Sequence, residues 1–291
     1  MKKEIADSFY LNGEYDKAIE CFDALINENP QDSEVFEGRG LCHFALLNVQ
    51  PAIHDLTQGI SLDPKNHNAF YNRGLIYSEK NKLSLAQADI KTAIQIYGES
   101  IEYYSSYMYV SLLSKDYKEA LTYAKRLLEF NPDDFYALDC IGTVYLSVNR
   151  FDDAIYYFKE KLKQDPSNGI IFNDIGFALL RKGNYREAIS YLNSSISFAP
   201  DFAYAYNNKG FCQFRLGDIE NGMNDIDRSL EMDPSNAYAY KNKGVICLES
   251  GDAEKAMEYL ETARELGFQE KYGDEVEQLI MEIEAGDHLM M

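Results

Sequence analysis

Cys42, His43 and His54 are the residues of this sequence that come nearest to a metal-binding set. Thiolate and imidazole are zinc ligands, but zinc sites draw them from spacings such as C-x-x-C or H-x-x-x-H, which place two donors on one turn or helix face. Neither spacing occurs. The five cysteines, Cys21, Cys42, Cys140, Cys212 and Cys247, are odd in number and far apart, the pattern of reduced core residues. Of the other histidines, His67 opens a helix and His288 falls in a frayed C-terminal tail. A phosphate-binding G-x-x-x-x-G-K-[ST] loop, a G-x-S-x-G elbow, an H-E-x-x-H helix and a dinucleotide fingerprint are all missing. No catalytic residue, metal or cofactor is therefore expected, and an unrecognised hydrolase or metal enzyme is the alternative from the enzyme class.

The charged residues recur with more order. Arg39, Arg73 and Lys209 are each followed sixteen residues later by Asp55, Asp89 and Asp225, whereas Tyr107, Ile141 and Ile175 in the same slot are followed by Tyr123, Tyr157 and Tyr191. A charge near a core is retained only if paired, so ion pairs across two packed helices are predicted. Lys243 has Tyr259 at that distance and is expected to turn to Asp225 of the preceding unit.

The elements that must hold such pairs follow a 34-residue period. Pro30, Pro64, Pro132, Pro166, Pro200 and Pro234 recur once per period or, where Gly98 takes one place, at twice that spacing. In phase with them runs a small-residue series, Gly40, Gly74, Gly142, Gly176, Gly210 and Gly244, interrupted by Met108. Twelve residues further comes Ala18, Ala52, Ala86, Ala120, Ala154, Ala188, Gly222 and Ala256, followed four later by a mostly bulky apolar residue. Each unit thus encodes two helices that approach closely through small residues, with apolar stripes at helical spacing and turns punctuated by Gly or Asp-Pro.

Composition sets limits on partners. The 291 residues carry 28 Lys plus Arg against 48 Asp plus Glu, a net charge of −20, which repels a phosphate backbone, so nucleic acid is excluded as a partner. Glu4 and Asp7 interrupt the place where a signal peptide would be apolar, and no apolar run nears the ~18 residues of a membrane span. A cytoplasmic protein without membrane contact is expected.

The repeat resembles the tetratricopeptide repeat family, whose unit has this same length, with spaced aromatic, Leu-Gly, Tyr, Ala, Phe and Pro positions. The family's Trp is replaced throughout by other aromatics or Leu. The resemblance implies an all-α, right-handed superhelical solenoid of antiparallel helix pairs with first helices lining a concave groove. Eight units fit residues 1–270, at 1–32, 33–66, 67–100, 101–134, 135–168, 169–202, 203–236 and 237–270. Residues 271–291 would supply a C-terminal capping helix, with Val276, Leu279, Ile280 and Ile283 as its apolar stripe, and the tail. The fourth unit, with Gly98, Met108 and the clustered Tyr103, Tyr104, Tyr107 and Tyr109, reads either as a hinge or as simple drift. Ala124 would balance Met108 by exchanging large for small.

On that family's geometry the groove of the later units is lined by Asn173, Asp174, Phe177 and Arg181, then Tyr204, Asn207, Asn208, Phe211 and Arg215, then Tyr238, Lys241 and Asn242, with Ile170 and Val245 beside them. Asn208 and Asn242 occupy the slot where peptide-binding members hydrogen-bond a ligand backbone, which would leave them facing solvent in the free protein. The alternative is that they cap the inter-repeat turns. Arg181, Arg215 and Lys241 are placed to take an acidic group, while Glu34, Glu37, Glu79, Glu102 and Asp139 make the earlier lining acidic. The two-carboxylate clamp of co-chaperone members is not present in phase. A non-enzymatic scaffold that binds a protein or extended peptide in the groove is expected. The rival is an acidic chaperone or inhibitor that holds a basic protein on its outer wall.

Overall fold

The computed structural model describes residues 2–286. Among them are eighteen helices and no strand. They run in successive pairs: α1 (Lys2–Leu11) with α2 (Tyr15–Glu28), α3 (Ser33–Ala45) with α4 (Val49–Leu62), α5 (His67–Glu79) with α6 (Leu83–Tyr97), and α7 (Ile101–Leu113) with α8 (Tyr117–Phe130). Then come α9 (Phe135–Ser147), α10 (Phe151–Gln164), α11 (Gly169–Lys182), α12 (Tyr185–Phe198), α13 (Ala203–Arg215), α14 (Ile219–Met232), α15 (Ala237–Glu249) and α16 (Ala253–Glu265), followed by α17 (Phe268–Tyr272) and α18 (Glu275–Ala285). The residues divide into two compact units, Met1–Val144 and Tyr145–Met291. The tail beyond 286, with His288, lies outside the described residues.

The helix starts have local causes. Asp32, Asn66, Ser100, Asn168 and Asn236 each accept a hydrogen bond from a backbone N–H of the helix they precede, satisfying donors that a helix N-terminus leaves unpaired. The turn inside each pair is equally regular. Gly13, Leu47, Asn81, Lys115, Asn149, Gly183, Gly217 and Gly251 all have positive φ, between 55° and 90°. The left-handed turn thus recurs once in every period, whether or not glycine supplies it.

Within a pair the small residue of the first helix faces the bulky residue of the second. A Cβ at Gly74 would stand 2.7 Å from Ile90 Cγ1, and one at Gly210 only 2.5 Å from the Gly222 carbonyl oxygen. In the fourth pair Met108 and Ala124 are both buried, consistent with a large-for-small exchange. The first helices also pack on one another, α1 on α3, α3 on α5 and α5 on α7 in one unit, α11 on α13 and α13 on α15 in the other.

Ion pairs tie the wall. Arg39 Nε and Nη2 donate to both carboxylate oxygens of Asp55 at 2.7 Å, and Arg73 grips Asp89 in the same bidentate way at 2.7 and 2.9 Å. Lys209 pairs with Asp225 at 3.0 Å. Lys243 departs from expectation: it bonds Asp227, at 2.6 Å, not Asp225, and its ammonium lies 4.5 Å from the Tyr259 ring centroid. The reason is the register between pairs. This slot reaches forward sixteen residues into its own second helix and back sixteen into the preceding one, as Arg39 does to Asp23 and Arg73 to Thr57. In the fourth pair the ion pair is replaced by an edge-on contact of Tyr107 with Tyr123, their centroids 4.7 Å apart.

The C-terminal end is closed by α17 and α18. Val276 and Ile280 are buried with Leu260, Ala263 and Phe268, and Leu279 and Ile283 pack against that cluster half-buried. The five-residue α17, which carries Phe268 into the cluster, was not anticipated from the sequence pattern.

Candidate functional site

The residues predicted to line the groove of the later units lie on α11, α13 and α15, while Glu34, Glu37, Glu79, Glu102 and Asp139 lie on α3, α5, α7 and α9. The amides of the later face do not face solvent. Asn173, Asn207, Asn208 and Asn242 are 7%, 0%, 4% and 1% exposed, which overturns the expectation that Asn208 and Asn242 are open to a ligand. They form one chain across three helices. Asn242 Nδ2 donates to Asn207 Oδ1 at 2.9 Å, Asn207 Nδ2 to Asn208 Oδ1 at 3.2 Å, and Asn208 Nδ2 to Asn173 Oδ1 at 2.9 Å. The turn-capping alternative is not the arrangement either, since Asn236 caps α15, α13 follows Phe202 without a side-chain cap, and the Asn208 and Asn242 amides donate to Asn173 and Asn207. Buried amides persist because each meets a partner, and here the partner belongs to the neighbouring repeat. Asn242 Oδ1 ends the chain buried and without a partner.

The predicted cations differ in what already engages them. Lys241 is buried, bonds Glu275 of α18 at 3.1 Å and lies 4.4 Å from the Tyr238 ring centroid. Burial holds its pKa below the ordinary lysine value, opposed by Glu275. Arg215 is exposed but forked onto both oxygens of Glu249 at 2.9 and 3.0 Å. Arg181, also exposed, donates to the neutral Asn149 amide at 3.1 Å and rests near the rings of Phe151 and Phe177. The apolar part of the face is accessible: Ile170 is 52% and Tyr204 37% exposed, with Phe177 and Phe211 half-buried. Asp174 is half-buried beside them. Tyr238, half-buried, meets Phe177 edge-on at 5.9 Å, and burial pushes its phenol to about 12.

Two residues of the face escaped the sequence reading. Tyr272 sits edge-on to Tyr238 at 5.1 Å, and Glu275 takes Lys241. Their signal was available, because they stand one full period after Tyr238 and Lys241.

The first unit has its own recess on the first-helix side, a cleft of about 470 Å³ among α1, α3 and the start of α5. On the opposite side of the same pairs, His43 and His54 border a shallow depression with Asp23, Arg39 and Asp55, and His43 Nε2 stands 3.9 Å from Asp55. No group of three metal-ligating side chains exists among the described residues. Burial raises the Cys42 thiol to about 11 and those of Cys140 and Cys212 to about 12, so at neutral pH they are poor nucleophiles. No described helix is long and apolar enough to cross a membrane.

Helix pairs on a fixed period, stitched face to face through first helices, define an α-helical repeat scaffold of the kind that mediates protein–protein interaction. Models described as tetratricopeptide repeat match residues 3–55, 67–100, 145–210, 203–236 and 226–258. The chain belongs to the tetratricopeptide repeat family. Among curated proteins it is similar to the BBSome complex member BBS4 of Bos taurus, 25% identical over 143 residues, which is 49% of this chain and 28% of that protein. It also resembles human tetratricopeptide repeat protein 13, 27% identical over 143 residues, covering 47% and 16%. The chain thus spans less than a third of these relatives' length. Among solved structures, a tetratricopeptide repeat protein from Parabacteroides merdae superposes with a TM-score of 0.75 at 20% identity, covering 87% of this chain and 98% of that one. YrrB, described as having an unusual peptide-binding site, gives 0.59 at 24% identity, covering 64% and 96%. At such identities these two establish the fold alone.

Proposed function

We propose that the protein is a non-enzymatic scaffold that binds an extended segment of a partner protein along α11, α13 and α15. The observation that carries this reading is Arg181, an exposed guanidinium hydrogen-bonded to a neutral amide and beside the ring of Phe177, on helices that also expose Tyr204 and Ile170. A partner carboxylate would meet the arginine and one or two apolar side chains would cover the rings. The buried asparagines hold the face in register and leave backbone recognition to other groups.

A displayed library of random peptides, panned on the whole protein, tests this. Selected peptides should combine apolar residues with Asp or Glu, and Arg181→Ala should weaken them about tenfold, the scale of one charge-assisted hydrogen bond, with an unchanged melting temperature. Peptides that bind Arg181→Ala and Tyr204→Ala as tightly as the parent would refute it. Binding that collapses at high salt would move the ligand to the acidic outer wall.

A further inference from the structure

The cleft of the first unit lies where one stitching side chain is missing. In α5 and α7 the sixth residue of the helix ties it to the preceding first helix: Asn72 Nδ2 reaches Glu37 Oε1 at 3.5 Å, and Ser106 Oγ lies 2.8 Å from Tyr71 Oη. The same slot in α3 is Gly38, which has no side chain to reach α1. The Phe22 ring lies beneath it, since a Cβ there would come within 2.5 Å of Phe22 Cζ. Tyr10 and Leu41 add apolar wall, and the charged lining is four carboxylates, Asp7, Glu34, Glu37 and Asp63, against Lys3 and Lys65, a balance of −2.

Glu37 is the informative carboxylate. Its oxygens accept from the Asn66 amide at 2.9 Å and the Asn72 amide at 3.5 Å, both neutral donors. Lys3, the nearest cation, is paired with Glu34. Glu37 is half-buried, whereas the buried carboxylates Asp55 and Asp89 each hold a guanidinium fork. Taking a carboxylate partly out of water is costly, and burial holds the Glu37 carboxyl above its ordinary range, opposed by the Asn66 hydrogen bond and the charge of Lys3.

We infer that this cleft receives a basic side chain, arginine or lysine, of an extended partner segment, with the cationic head on Glu37 and the alkyl stem against Tyr10 and Leu41. Its size falls within the range of small-ligand pockets, and an alkyl cation matches both the apolar wall and the negative rim. The surface is distinct from the face of α11, α13 and α15, and the inference does not depend on that reading.

The test uses the whole protein, labelled with ¹⁵N, in about 0.15 M salt, where diffuse attraction to the acidic surface is screened. Blocked pentapeptides Ala-Ala-X-Ala-Ala are titrated with X as Arg, Lys, citrulline or Glu, and inorganic phosphate is run separately. Arg and Lys peptides should shift the backbone amide signals of Gly38 and Glu37, and citrulline, which keeps the shape and loses the charge, should bind at least about tenfold more weakly. Glu37→Gln should reduce Arg-peptide affinity by a similar factor and leave the citrulline peptide unaffected. Equal binding of citrulline and arginine on the parent protein, which needs no variant to fold, would overturn the proposal. So would shifts confined to the second helices, an unaltered Arg affinity in Glu37→Gln, or a response of Gly38 to phosphate and not to arginine.

Discussion

The face of α11, α13 and α15 and the cleft of α1, α3 and α5 are built from the same helical slots, yet they present opposite chemistry. On the former, the amides are engaged by neighbouring repeats, and two of three cations are paired with carboxylates of the next repeat or of α18. In the latter, Gly38 offers no stitching side chain, and a half-buried carboxylate is held by neutral amides. Among the described residues five pairs obey one rule, a hydrogen bond between residues 35 apart: Glu37 with Asn72, Asn68 with Tyr103, Tyr71 with Ser106, Asn173 with Asn208, and Asn207 with Asn242. A charged residue in a lining slot thus keeps capacity for a ligand where it is held only by neutral donors, as at Glu37, and loses it where a neighbouring carboxylate takes it, as at Arg215.

Substitutions can break or sharpen this contrast. The largest effect belongs to a wall pair: Asp89→Ala strands the Arg73 guanidinium, 16% exposed at its side chain, and should cost about 3 kcal/mol in chemical denaturation. Most of that loss should disappear in a double-mutant cycle with Arg73→Ala, and additive losses would deny the coupling. Asn208→Ala comes next, because it orphans both Asn173 Oδ1 and Asn207 Nδ2. About 2 kcal/mol is expected, at ~1 kcal/mol or more for each unsatisfied group, and an unchanged midpoint would show the amide chain to be incidental. The smallest effect is Glu37→Gln, which should leave stability within about 1 kcal/mol of the parent and on the stabilising side. Its pH dependence has a definite sign. The folded-state pKa of Glu37 is raised above 4.5, so its contribution is complete below that value and is lost as pH rises through the raised one. Stability measured across that window should fall more steeply in the parent than in Glu37→Gln. Identical slopes would mean that the carboxylate is adequately solvated.

The period was legible because its markers are local. A residue such as Asn66, Asn168 or Asn236 ahead of an apolar stripe needs only its own next turn to act as a cap. The left-handed turn was legible at Gly183 and Gly217 but not at Leu47 or Lys115, where packing of the pair imposes positive φ on residues that do not favour it. The role of Asn208 was hidden for the opposite reason: its partner lies in the preceding repeat, and both readings open to the sequence, ligand contact and turn cap, were local. Lys243 chose Asp227 over Asp225, two residues apart on one helix, through the register between neighbouring pairs, which no single unit encodes.

The hydrogen bond from one repeat to the next also makes the later repeats interchangeable as parts. Asn173 and Asn207 occupy one slot, and Asn208 and Asn242 occupy another, each a single period from its twin. Excising residues 203–236 would bring Asn242 opposite Asn173, and the severed seam would close with the same donor and the same acceptor. The scheme tolerates loss or duplication of whole units in this region as a zip fastener tolerates a change of length. An excision one residue longer or shorter would put Lys243 or Lys241 where an amide donor belongs, and the seam would not close.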